Sequence, residues 1–261
     1  MGQKDYTNAL QLIPIEKNRN KSSLLTREEK TVLRSKVGQL LWLTKQTRPD
    51  IAFEISSLAS KLQESTVEDL KKANKIIRKV KMENVYLSFN GLGNKVEVLL
   101  YSDASFGNLA DGGSQGGFVV FLRGENGMIN PVTWQSRKLR RVARSTLASE
   151  TLALADGVDC ALSVAKLLKE LLLNKYSTDE IPIKCYIDNN DLQQALYSKK
   201  LVSERRLRIE LNAIKQLIQN GEIASVKWVR SEDQLANVLT KHGACGQSIL
   251  DVFRLGKFHV P

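Results

Sequence analysis

The chain has 261 residues, 42% of them hydrophobic and 26% charged, a balance ordinary for a folded protein with room for one large domain or two small ones. Its 39 lysines and arginines outweigh 28 acids to give a net charge of +11, which favours a polyanionic partner such as nucleic acid. No run approaches the roughly 18 apolar residues of a membrane span, and the segment 1–21 lacks an apolar signal core. Three scattered cysteines (Cys160, Cys185, Cys245) and only two histidines (His242, His259) argue against a disulfide framework or a zinc site and for a reducing, intracellular compartment.

Residues 1–24 carry no clear apolar period and read as a flexible lead-in. A capping box, Thr26 with Glu29, then opens a helix striped by Val32, Leu33, Val37, Leu40 and Leu41. Thr47-Arg48-Pro49 ends it, and Pro49 suits the first turn of a second helix carrying Ile51, Ile55, Leu58 and Leu62. A third helix begins near Thr66, with Leu70, Ala73, Ile77 and Val80 inward. Lys71, Lys72, Lys75, Arg78, Lys79 and Lys81 cover its other side, as a solvated face or a phosphate-contacting one. Residues 25–92 thus form a small helical region, with a short strand over 85–89 and a turn signal at Asn90–Asn94.

From Lys95 the pattern changes. Strands are expected at 96–101, 118–122 and 131–136, joined by short glycine-rich connections as an antiparallel meander. A long helix follows over 144–173, then an apolar strand at 181–187 reached by crossover. Short helices over 189–198 and 204–219, a strand over 224–229 and a final helix capped by Ser231 with Gln234 complete an α/β order, β-β-β-α-β-α-α-β-α.

Three acids fall at informative places. Asp103 ends the first strand, Asp188 ends the crossover strand, and Glu150 lies in the first turns of the long helix. At 100° per residue Glu150 sits about 60° from Leu147 and about 40° from Leu154, beside the buried stripe. If the two strands are parallel neighbours, Asp103 and Asp188 emerge together at their carboxyl ends, the edge where open α/β sheets place their sites. Acids this close repel unless one is protonated or a cation joins them. Oxygen ligands alone favour Mg²⁺ or Mn²⁺, and two such ions could serve an in-line phosphodiester displacement.

Tyr-Ser-Asp-Ala-Ser at 101–105, Arg-Ser-Thr-Leu-Ala-Ser-Glu at 144–150, Tyr-Ile-Asp-Asn-Asn at 186–190 and Gln-Leu-Ala-Asn-Val-Leu-Thr-Lys at 234–241 resemble the ribonuclease H domain of copia-type LTR retrotransposon polyproteins. Upstream, Gly38–Leu43 and Thr47–Ile51 resemble the end of the copia-type reverse transcriptase, so residues 25–92 are similar to its thumb or connection region. The resemblance implies a ribonuclease H-like mixed five-stranded sheet with flanking helices over 93–261. It implies hydrolysis of the RNA strand of RNA–DNA hybrids with two Mg²⁺ or Mn²⁺ ions and no small-molecule cofactor. It also implies a cytoplasmic setting, in a virus-like particle, or a nuclear one.

Carried over by position, Asp103, Glu150 and Asp188 match three catalytic, metal-holding acids. The fourth falls at Asn237, where aspartate is usual, which removes a charge beside the ions. Asp233, one helical turn earlier in the expected final helix, is a candidate substitute. Substrate contacts are expected from Ser105, Arg144 and Thr146 in the matched motifs, with Thr146 placed to touch RNA 2′-hydroxyls, and from Lys75 and Arg78 on the lysine face. No Tyr-x-Asp-Asp motif occurs, so DNA synthesis is not expected. Two readings stay open: a hybrid ribonuclease weakened at Asn237, or a catalytically lapsed nucleic-acid-binding remnant.

Overall fold

The structure, a computed structural model, describes residues 1–172, 181–199 and 202–258. Four helices come first: α1 (Lys4–Ala9), α2 (Arg27–Gln46), α3 (Ala52–Ser60) and α4 (Val67–Met82). The Thr26–Glu29 box forms as expected: the Thr26 hydroxyl accepts from the Glu29 amide and the Glu29 carboxylate accepts from the Thr26 amide. Pro49 starts a 3₁₀ turn over Pro49–Ile51 that leads into α3, and α4 opens on a second box, Thr66 with Asp69.

Two expectations for this region need correction. The lead-in is ordered and packed: Leu10 and Ile13 join Leu33, Leu40, Leu43, Leu70 and Ile77 in one core, and Asn74 exchanges hydrogen bonds with both backbone groups of Ile13. Leu10, Ile13 and Ile15 carry no helical or strand period, which is why the segment reads as loose. Residues 85–89 make no strand; Tyr86 forms one isolated bridge with Gly2, while Val85 and Leu87 are buried by tertiary packing.

The expected α/β sheet is present, with longer strands: β1 (Val96–Ser105), β2 (Gln115–Gly124), β3 (Ile129–Lys138), β4 (Ile183–Ile187) and β5 (Ser225–Trp228). Their order is β3-β2-β1-β4-β5, with β1–β2 and β2–β3 antiparallel and β1–β4 and β4–β5 parallel. Pro131 sits on the edge strand β3, where the register slips opposite Phe121, as an edge position tolerates.

One face of the sheet packs Val98, Leu100 and Val120 against α5 (Thr146–Leu172) and α7 (Arg205–Gln219), with α6 (Asn190–Tyr197) beside them. The other packs Leu99, Tyr101, Phe121 and Trp134 against residues 235–239 and α8 (Gln247–Leu255). Both faces are covered, so the apolar run of β1 is continuous rather than alternating.

The helical region joins this sheet directly. The Trp134 indole donates to the Thr44 carbonyl at 2.6 Å, and Gln115 donates to Ser56 and Ser136 at 3.1 and 2.8 Å. Arg48, 1% exposed, is bound by Asp50 and Glu83, and Lys79 adds a contact to Asp50 at 2.9 Å.

Candidate active site

β1 and β4 run parallel, with Tyr101 paired to Tyr186, two residues before Asp103 and Asp188 respectively. The two acids therefore lie side by side, Asp188 just past the end of β4 and Asp103, contrary to expectation, still inside β1 and paired with Gly117, because β2 continues the ladder to Ser105. Glu150 arrives from above because α5 lies close on β1: a Cβ at Gly157 would meet a Leu100 methyl at 2.8 Å. Ser145 starts the helix, its hydroxyl accepting from the Ala148 amide. Asp103, Glu150 and Asp188 each bring a carboxylate oxygen within 4.8 Å of the others. Asp103 and Glu150 are buried, and Asp188 is half-buried.

The partners of these acids differ. The Thr240 hydroxyl donates to Asp103 Oδ2, and Lys241 Nζ donates to Asp103 Oδ1 at 3.3 Å. Asp188 Oδ2 accepts from the Ser231 hydroxyl at 2.9 Å. Glu150 Oε2 is buried with no hydrogen-bond partner. A buried carboxylate oxygen left in this state is costly unless it is protonated or meets a cation.

Burial pushes the Asp103 carboxyl up to about 6, the Asp188 charge adding to the rise while Lys241 and Thr240 oppose it. Burial, then the charges of Asp103 and Asp188, raise Glu150 well above the usual carboxylate range, against a hydrogen bond from Ala104. The donor set is all oxygen, hard and anionic, and suits a divalent ion such as Mg²⁺ or Mn²⁺.

The segment carrying Asn237 departs from expectation. No helix starts at Ser231; instead Ser231–Asp233 and Asn237–Leu239 are separate 3₁₀ turns, and α8 begins only at Gln247. Gln234 does not cap a helix. Its side chain is buried and donates to the carbonyls of Ser102 and Tyr186 at 3.0 and 3.4 Å, tying the segment to the ends of β1 and β4. With Gln234 extended (ψ 100°), Asp233 and Asn237 share no helix face, and Asp233 is not part of the acidic cluster. Asn237 donates to the Ser231 carbonyl and accepts from Lys241 Nζ at 2.5 Å, so its side chain reaches Asp103 through that lysine, while its backbone carbonyl accepts from the Thr240 hydroxyl at 3.1 Å.

Thr240, Lys241 and Gln234 are the residues that sequence reasoning missed. All three lie in the 234–241 motif, and Thr240-Lys241 at its end was the available signal. Of the expected substrate contacts, Ser105 closes β1, half-buried, and Thr146 is exposed at the start of α5. Arg144 is exposed just before it, at the end of a basic segment that also holds Arg137, Lys138, Arg140 and Arg141. Lys75 and Arg78 are exposed on α4, which packs against α1, α2 and α3. Their neighbours on the lysine face have structural partners: Lys79 binds Asp50, Lys81 binds the Leu10 carbonyl and Lys72 lies 3.7 Å from Asp69.

No family model matches the chain. It is 29% identical over 213 residues to the retrovirus-related Pol polyprotein from transposon RE1 of Arabidopsis thaliana, a match covering 81% of this chain and 14% of that protein. A putative transposon Ty5-1 protein of Saccharomyces cerevisiae is 35% identical over 114 residues, covering 43% of this chain and 35% of its own length. The chain is similar to retrotransposon Pol polyproteins over most of its length. It spans about a seventh of the Arabidopsis polyproteins it matches. Among solved structures, the foamy viral protease-reverse transcriptase in complex with an RNA/DNA hybrid aligns with 79% of this chain and 27% of its own, at 14% identity and a TM-score of 0.43.

Proposed function

We propose that this chain is a retrotransposon-type ribonuclease H, hydrolysing the RNA strand of RNA–DNA hybrids with Mg²⁺ or Mn²⁺. The observation that carries the reading is the convergence of Asp103, Glu150 and Asp188 with one buried, unpartnered oxygen on Glu150. These three would hold the metal, two ions being the complement that the motif resemblance implies. Once bound, a divalent ion supplies Lewis-acid polarisation of the scissile phosphate and lowers the pKa of an attacking water.

The chain's own residues divide the remaining work. Thr240 fixes one Asp103 oxygen and Ser231 fixes one Asp188 oxygen, so both ligands are oriented before substrate arrives. Glu150 orients the attacking water. Thr146, Arg144 and Ser105 flank the acids in sequence and are the proposed contacts to the RNA strand. Arg140 and Arg144 have no ion pair among the described residues, which leaves both free for phosphates. Lys75 and Arg78 would meet the duplex backbone further along, with residues 25–92 acting as a thumb-like region, 1–24 as its N-terminal extension and 93–261 as the catalytic unit.

The setting proposed is intracellular, in the cytoplasm or nucleus, in keeping with three unpaired cysteines. No helix among the described residues is long and apolar enough to cross a membrane.

A second reading is favoured by one observation: Asn237, where the motif resemblance implies an acid, is engaged by Lys241 and the Ser231 carbonyl. In that reading the chain binds hybrids without cleaving them. Asp103→Asn separates the two. Loss of metal-dependent cleavage on this substitution supports the enzyme, whereas equal activity, or none in either protein under Mg²⁺ or Mn²⁺, refutes it.

A further inference from the structure

We infer that the ammonium group of Lys241 is a resident cation of the acidic cluster, so that the site takes up one divalent ion readily and a second only when Lys241 withdraws. The inference rests on the proposed metal site and adds a residue to it. Lys241 Nζ lies 3.3 Å from Asp103 Oδ1 and 2.5 Å from Asn237 Oδ1, joining the central acid of the cluster to an uncharged amide.

The charges fit this assignment. Asp103, Glu150 and Asp188 supply three negative charges when ionised, Lys241 returns one positive, and Asn237 supplies none. The remainder is two negative charges, the complement of a single divalent ion. Each Asp103 oxygen already accepts one hydrogen bond, from Thr240 and Lys241, while Glu150 Oε2 has no partner. The least encumbered buried oxygen is therefore on the Glu150 side. On the Asn237 side an entering ion must displace a lysine. That displacement is sterically feasible, because the Lys241 side chain is 41% exposed and its flexible stem can carry the ammonium into water.

The test is calorimetric titration of Mn²⁺ alone into the metal-free full chain, without nucleic acid, in wild type and in Lys241→Gln, Lys241→Arg and Lys166→Gln. Lys166 is exposed on α5 and controls for lost net charge. Wild type is expected to take one ion. Lys241→Gln should bind Mn²⁺ about ten-fold tighter or more, the scale of removing a like charge at this range. Lys241→Arg and Lys166→Gln should both titrate as wild type.

Equal affinity in wild type and Lys241→Gln overturns the inference, as does uptake of two ions with equal affinity by wild type. Lys241→Met, which keeps the aliphatic stem, replaces the glutamine variant if circular dichroism shows that variant unfolded. Asp103→Asn is titrated in parallel: Mn²⁺ uptake unchanged by it overturns the metal site itself, a failure distinct from that of Lys241.

Discussion

Asp103→Asn should stabilise the metal-free protein at neutral pH while it abolishes hydrolysis. The folded-state pKa of Asp103 is raised from an ordinary 3.8 to about 6. Between these values the folded protein holds more protons than the unfolded one, so stability falls as pH rises through the window. The penalty is absent below about pH 4 and complete above about pH 6. At 1.36 kcal/mol per unit, a rise of about two units makes it about 3 kcal/mol at pH 7. Asparagine resembles the neutral acid in shape and escapes the penalty.

Urea unfolding in EDTA, measured from pH 3.5 to 8, should show the variant equal to wild type at the acid end and about 3 kcal/mol more stable at pH 7. Glu150, raised in the same direction, adds a slope of the same sign that both proteins share in part. Saturating Mn²⁺ should then stabilise wild type far more than the variant, by about 2.7 kcal/mol at a hundred times Kd. A variant less stable than wild type at pH 7, or a difference independent of pH, would refute the reasoning.

Asn237→Asp restores a charge beside Lys241 and should raise Mg²⁺-dependent cleavage at least ten-fold; an unchanged rate in a folded variant would show that Asn237 is not the weak point. Gly117→Ala brings a Cβ to 2.6 Å from Leu239 Cβ and 3.0 Å from Thr240 Cγ2, so it should cost about 1–3 kcal/mol in thermal unfolding and displace the hydroxyl that holds Asp103. Arg140→Ala and Arg144→Ala should weaken hybrid binding across sequences and each reduce the salt-dependence slope by about one, read by fluorescence anisotropy over a salt series.

Local chemistry made much of this molecule legible. The Thr26–Glu29 box, the three meander strands and the short helix after β4 each follow from short-range patterns with one dominant physical outcome. Glu150 was legible because helical spacing puts it beside a stripe that is in fact buried.

The misreadings arose where a side chain had a tertiary option that local pattern does not encode. Ser231 and Gln234 have the spacing of a capping box, yet Gln234 instead satisfies two carbonyls at the sheet's end. Val85 and Leu87 look like strand residues, but they are buried by tertiary packing, Leu87 in the core that holds Ile129 and Phe253, without a ladder. Lys241 could not be placed by charge counting alone, since a lysine after a polar turn ordinarily faces water. The end of the helix expected over 144–173 falls at residue 173, outside the described residues, as does His259.

The most direct test of the central claim is single-turnover cleavage of an RNA–DNA hybrid labelled separately on each strand, with Mg²⁺ and Mn²⁺ compared. The account predicts cuts in the RNA strand only, dependent on the ion, faster with Mn²⁺ than with Mg²⁺ because Asn237 weakens coordination, and absent in Asp103→Asn. Cleavage of the DNA strand, cleavage in EDTA, or no cleavage with either ion would contradict it.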